Sequence, residues 1–187
     1  TQDICVRVMA TNYRVDKSPA NTLYAGHRAG SRYWYVLENT AATSTAQASS
    51  GLINPNFRYK VNATMHNPYI EAYGLEVFGV YETARGRSAT ETAEREFKQY
   101  AIDGVYRFAQ DDKLFVGARY NTVEGRLSGF TSDISVDRYQ LGGGWFITPT
   151  VVLKGEYVNQ KYSDFPTTDI RSGGKFNGFV VEGVVAF

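Results

Sequence analysis

The chain has 187 residues, 43% hydrophobic and 21% charged, with 14 Tyr and 11 Phe, and its mean hydropathy is -0.35. Twenty Lys and Arg against 19 Asp and Glu leave a net charge of +1, which excludes the global basic field that would make nucleic acid a default partner. No apolar run approaches the roughly 18 residues of a helical membrane span, a disordered chain is excluded by abundant Tyr, Phe and Val, and a lone Cys5 with only His27 and His66 provides no disulfide and no metal cluster at zinc spacing.

Alternation of apolar and polar residues dominates, and helical periodicity is nearly absent, so the chain reads as all-β. In chain order, Ile4, Val6, Val8 and Ala10 alternate with Cys5, Arg7, Met9 and Thr11. A less regular stretch runs from Leu23 to Leu37, where Arg28, Arg32 and Trp34 share one row. Phe57, Tyr59, Val61, Ala63 and Met65 then oppose Arg58, Lys60, Asn62, Thr64 and His66, and Tyr73, Leu75, Val77, Gly79 and Tyr81 oppose Gly74, Glu76, Phe78, Val80 and Glu82. The same sorting recurs in Gln99–Phe108, Leu114–Asn121, Arg138–Ile147, Val151–Val158 and Gly178–Phe187. About nine strands are expected.

These stretches run about 10 to 13 residues, against about 5 to 6 for strands of soluble domains and about 9 to 11 for a strand crossing a bilayer. Connections alternate between short (Asn67-Pro68, Ala109 to Asp112, Thr148-Pro149) and long (Glu38 to Asn56, Arg85 to Arg95, Gly125 to Ser135, Ser163 to Lys175), the rhythm of an outer-membrane barrel. The expected fold is therefore an antiparallel transmembrane β-barrel, with residues 1–187 forming one barrel domain. An odd strand count would put Thr1 on the outer side. Because single-chain bacterial barrels have even strand numbers, nine strands predict the C-terminal part of a barrel of about 14 to 18, incomplete on its N-terminal side. A miscount of one would instead give a closed barrel of about eight.

The row expected to face inward carries Arg7, Arg28, Arg32, Arg58, Lys60, Arg107, Arg119, Arg138 and Lys154 against Glu76, Glu82, Asp103, Glu156 and Glu182. In a wet lumen such rows set the local potential, and this cation excess predicts a pore wall of weak anion preference. The competing expectation is a lumen neutralised by charge pairs across strands. Outward aromatics, among them Tyr81, Tyr100, Tyr120, Tyr139, Trp145, Tyr157 and Phe179, fit girdles at the two membrane interfaces; a soluble β-sandwich core would also use them. Gly142-Gly143-Gly144 lacks the Lys and helix start of a phosphate loop and reads as a close approach within a strand. Arg85-Gly86-Arg87 reads as a solvated loop tip. Neither histidine stands in a catalytic arrangement, Asp111, Asp112 and Asp133 read as turn residues, and no enzyme, cofactor or metal is expected.

The C-terminal residues Phe179 to Phe187, with Phe179, Val181 and Val185 alternating before the terminal aromatic Phe187, resemble the insertion signal of bacterial outer-membrane barrels; Gly183 departs from the bulky residue usual there. The stretch from Leu141 through Gly142-Gly143-Gly144-Trp145-Phe146 to Tyr162, with the final strand, resembles the closing hairpins of porin-like proteins of Bacteroidota, similar to phosphate-selective porins. The resemblance covers residues 110–187. It implies a location in the bacterial outer membrane, contact with lipid and lipopolysaccharide, recognition by the barrel-assembly machinery, and assembly as a homotrimer or in a larger outer-membrane complex. The expected function is a porin-like channel for passive diffusion of small solutes, the alternative a non-conducting scaffolding barrel within an outer-membrane complex.

Overall fold

The computed structural model describes residues 4–18, 23–24 and 53–187. They form one antiparallel sheet of eight strands in sequence order: β1 (Cys5–Val15), β2 (Lys60–Ala72), β3 (Leu75–Arg87), β4 (Arg95–Phe108), β5 (Leu114–Gly125), β6 (Ile134–Thr148), β7 (Val151–Ser163) and β8 (Lys175–Val185). A single 3-10 turn, Gln110–Asp112, links β4 to β5. β1 and β8 are the two edges, so the sheet is not closed. Of the stretch expected over Leu23 to Leu37, only Leu23 and Tyr24 fall among the described residues, and Tyr24 bridges Phe57.

The strands form because each needs only alternate residues to be apolar, and tight turns return the chain at one end of the sheet. One of those turns is not where the dipeptide chemistry puts it. Asn67 and Pro68 lie inside β2, and the chain reverses at Tyr73-Gly74, both at positive φ (52° and 80°). Positive φ at both central residues suits the twist of a two-residue hairpin, but a Tyr there gives little sequence warning. β2 tolerates its proline because Gly79 stands opposite: a Cβ there would fall 2.8 Å from Pro68 Cγ. The Asn67 side chain donates to the Gly79 carbonyl (3.4 Å) beside the position where Pro68 has no N–H.

Short connections at Tyr73-Gly74, Ala109–Lys113 and Pro149-Thr150 gather at one end, here the turn end; residues 88–94, 126–133 and 164–174 connect strands at the other, the loop end. Cys5 pairs with Glu71 beside the first turn, so β1 starts at the turn end. β1 therefore runs antiparallel to β2 as its direct neighbour.

Register sorts the side chains onto two faces, named here for Tyr139 and Arg119. Near the turn end the Tyr139 face carries Val8, Ile70, Val77, Ile102, Val116, Leu141, Leu153 and Val181, one from each strand. Near the loop end the same face carries Arg14, Asn62, Arg85, Lys98, Glu124, Asp137, Lys161 and Asn177. The Arg119 face does the opposite. Toward the turns it holds charged side chains interspersed with apolar ones, whereas toward the loops it buries Val61, Ala84, Phe97, Val136 and Tyr162 under Phe57, Leu127 and Phe165. The buried core of the described residues therefore sits at one end and on one face. Burying a side chain the size of Ile134 or Phe57 is worth roughly 1.5–3 kcal/mol.

Candidate functional site

Below the core, the Arg119 face mixes polar side chains with apolar ones such as Phe78, Val105, Phe115, Phe146, Val152 and Val180. Asp103 and Arg119 are directly opposed on β4 and β5 and bond at 3.2 Å. Lys154 and Glu182 are opposed on β7 and β8 at 2.9 Å. Arg107 reaches Glu76 at 2.8 Å, Gln140 donates to Glu156, and Arg138 donates to Gln160 at 3.3 Å. All are at least partly open to solvent, so each pair stabilises the sheet by at most about 1 kcal/mol. Their effect is on the surface potential, which they flatten.

Between the Asp103–Arg119 and Gln140–Glu156 pairs the face is bare at its glycines, with Val105 and Phe115 beside them. Gly117 stands opposite Gly142, and Gly144 follows in the same row of β6. A Cβ on Gly142 would meet the Gly155 carbonyl at 3.1 Å, and one on Gly144 would meet the Phe115 ring at 2.4 Å. The glycines thus give close backbone approach, as the sequence suggests, and they also floor a groove of about 240 Å³ flanked by Asp103, Arg119, Gln140, Lys154 and Glu156.

Of the residues expected to line a lumen, Arg107, Arg119, Arg138, Lys154, Glu156 and Glu182 share the Arg119 face. Lys60 does not. It pairs with Arg87 on the Tyr139 face and bonds Glu94 at 2.7 Å. Arg58 is exposed and lies outside the strands, and Arg28 and Arg32 lie outside the described residues. The inversion at β2 has a physical cause: residues 57–65 belong to the loop end, where the apolar row points at the covered core and not at the exposed band. Among described strand residues the Arg119 face holds Arg7, Arg95, Arg107, Arg119, Arg138 and Lys154 against Glu71, Glu76, Glu82, Asp103, Glu156 and Glu182, six of each sign. The expected cation excess is absent from them.

Phe179, Val181 and Val185 project from the Tyr139 face of edge strand β8, with Phe179 83% exposed, and Phe187 lies exposed beyond its end. They continue an exposed row of rings. Tyr81 opposes Tyr100, Tyr120 opposes Tyr139, and Tyr157 opposes Phe179, with centroids 5.0, 4.7 and 5.0 Å apart. His66 stacks on Tyr81 at the end of this row. Below it, nearly every large side chain of the face is exposed and apolar, down to Phe108, Trp145 and Ile147.

The loop end has a keystone that pattern reading misses. Arg95, only 9% exposed, binds Glu91 at 2.8 Å, donates to the Arg126 and Pro55 carbonyls at 2.8 Å each, and lies over the Phe57 ring. Three segments are thereby tied across the Arg119 face. Burial alone would raise the Glu91 carboxyl, but bonds from Arg95, the Ser88 amide and Ser128 hold it at about 2. Burial raises Tyr24, and the carboxylate of Glu82 beside it adds to the effect. Arg85-Gly86-Arg87 is no loop tip: it closes β3, with Arg85 on Glu96, Gly86 buried, and Arg87 over Tyr59 and bonded to the Glu91 carbonyl. Asp133 bonds Arg126 at 3.1 Å. No group of three or more His, Cys, Asp or Glu that could hold a metal occurs among the described residues. His27 lies outside them.

No protein-family model matches the chain, and neither a curated protein nor a solved structure gives a match.

Proposed function

We propose that this sheet is wall of an outer-membrane β-barrel and that the protein is a porin-like channel for passive diffusion of small solutes. One observation carries the reading: an exposed apolar band on the Tyr139 face, bounded by rings, above which both faces exchange chemistry. Soluble monomers rarely expose a contiguous apolar patch beyond a few hundred Å², whereas lipid demands one.

The band has the dimensions of a bilayer wall. The ring row steps two residues toward the turns between Tyr100 and Tyr120, since Tyr100 pairs with Thr122, and again between Tyr139 and Tyr157, since Tyr139 pairs with Asn159. Two residues of about 3.4 Å for every two strands of about 4.8 Å correspond to strands tilted by about 35°, within the range of barrels. Tyr100 to Phe108 and Tyr139 to Ile147 each span eight residues, which at that tilt give a height of about 22 Å, close to the roughly 25 Å of outer-membrane barrels. In lipid the unpaired edges of β1 and β8 require backbone partners, supplied by ring closure with each other or with further strands.

In this setting the Arg119 face is the lumen, the turn end is periplasmic and the loop end is outside. Lipid and lipopolysaccharide cover the band, the C-terminal aromatic row serves insertion by the assembly machinery, and copies associate through their outer walls. The balanced charges of the described wall favour no ion sign, so weak anion preference is not part of this proposal. A second reading, the non-conducting scaffold, draws on the loops tied over the Arg119 face by Arg95. The full-length protein in planar bilayers separates the two. Stepwise KCl conductance with a reversal potential near zero in a salt gradient is expected, and silent bilayers containing folded protein would reject the channel.

A further inference from the structure

We infer that the glycine-floored groove of the Arg119 face is a binding subsite for a small, neutral, hydroxyl-rich solute the size of one sugar ring. The inference deepens the channel reading and rests on it for calling the solute a permeant.

The groove measures about 240 Å³ and is open on one side, below the roughly 300–1,000 Å³ of drug-sized sites, so it seats a group the size of a single ring. Its floor is backbone, because Gly117 and Gly142 face each other and lack side chains. At the turn end it is closed by the Phe115 ring, which lies across Gly144, an apolar surface for the C–H face of a ring.

The walls decide the chemistry. On one side stands the Asp103–Arg119 pair, on the other Glu156, held by Gln140, with Lys154 beside it. That is two cations and two carboxylates around one groove. An anion entering it meets Asp103 and Glu156, a cation meets Arg119 and Lys154, and either must compete with a charge partner already in place. A hydroxyl group competes with none. Arg119 uses its Nε on Asp103 and keeps four further N–H donors, while each carboxylate keeps unused lone pairs. Hydroxyls both donate and accept, so a polyol uses both sets of groups at once. Water-exposed pairs of this kind hold a solute weakly, which suits a site that must release it.

The test is titration of the detergent-folded full-length protein with D-glucose by calorimetry, with sodium phosphate and glycine titrated in parallel. Saturable millimolar binding of glucose, with phosphate and glycine weaker, is expected. The near-isosteric Asp103→Asn and Glu156→Gln variants, with sheet content checked by circular dichroism, should weaken glucose by about tenfold in combination, and Arg119→Gln should do so independently. Folded protein with no saturable glucose binding, tighter phosphate binding, or variants that bind glucose unchanged would overturn the subsite. Bilayer conductance is read separately: silence together with glucose binding removes the channel and leaves the subsite, and conductance without binding does the reverse.

Discussion

The rings of Tyr120 and Tyr139 lie 4.7 Å apart at directly opposed positions of β5 and β6, and this pair marks the level at which both faces of the sheet exchange chemistry. On β5 the same face carries Val116 four residues below the ring and Thr122 two residues above it. If the band meets lipid, Val116→Arg costs about 2–4 kcal/mol in reversible folding into phospholipid vesicles, and Thr122→Arg stays within about 0.5 kcal/mol. Equal costs at the two positions, or folding of the wild type in buffer without lipid or detergent, would reject the lipid assignment.

Pro68 and Gly79 make a second measurable pair. A methyl group on Gly79 meets a pyrrolidine ring held in β2, so Gly79→Ala should destabilise the sheet by about 1–3 kcal/mol through overpacking. Combining it with Pro68→Thr should recover most of that loss. Urea unfolding in micelles checks both, and a harmless Gly79→Ala would show that the two strands separate at this point.

Arg95 is largely buried and serves three segments at the loop end. Arg95→Ala leaves a partly exposed Glu91 without its cation but with its Ser88 and Ser128 bonds, a loss of about 1–3 kcal/mol, the worth of hydrogen bonds to a charged group. The loss should be local. Amide exchange is expected to quicken around residues 53–57, 88–91 and 126–128 while β6 and β7 near the turns keep their protection. Uniform loss of protection would contradict a role confined to the loop end.

The same pair predicts an acid response. The Glu91 carboxyl is lowered from 4.5 to about 2, so the stability it contributes is fully present above pH 4.5 and is lost as pH falls toward 2. Loop-end amide protection, measured between pH 6 and 2, should therefore hold down to about pH 5 and decline progressively below about 4.5. In Arg95→Ala, where the Glu91 carboxyl returns toward or above its ordinary value, that decline is reduced or lost. An acid-side decline of unchanged size in that variant would break the link between the two residues.

The all-β character and most of the strands are legible from alternation, as is the shared face of Arg107, Arg119, Arg138, Lys154, Glu156 and Glu182, because these lie near or below the ring row, where apolar means exposed band; β2 is the exception, running through the Asn67-Pro68 expected to end it. Lys60 was misplaced by the same rule applied above the row, where apolar means covered core. Val61 and Ala63 look like Val116 and Ala118 in a sequence, and only the neighbouring loops distinguish their surroundings. The Tyr73-Gly74 reversal was hidden by a Tyr at positive φ, and the Arg95 keystone by the distance in sequence between Pro55, Glu91 and Arg126. The glycine triplet was legible as a close approach but not as a groove, which needs Gly117 from the next strand.

The exchange of chemistry between the faces also acts as a parity check on assembly. Shifting one strand by a single residue turns every side chain to the other face, and here that error is penalised at both ends together. Near the turns it drives Glu76, Arg119 or Glu182 into the apolar band; near the loops it withdraws Phe97, Val136 or Tyr162 from the core and inserts Lys98, Asp137 or Lys161. A strand of uniform pattern would detect the slip only once. The long strands of this sheet thus carry a proofreading signal in their own side-chain order.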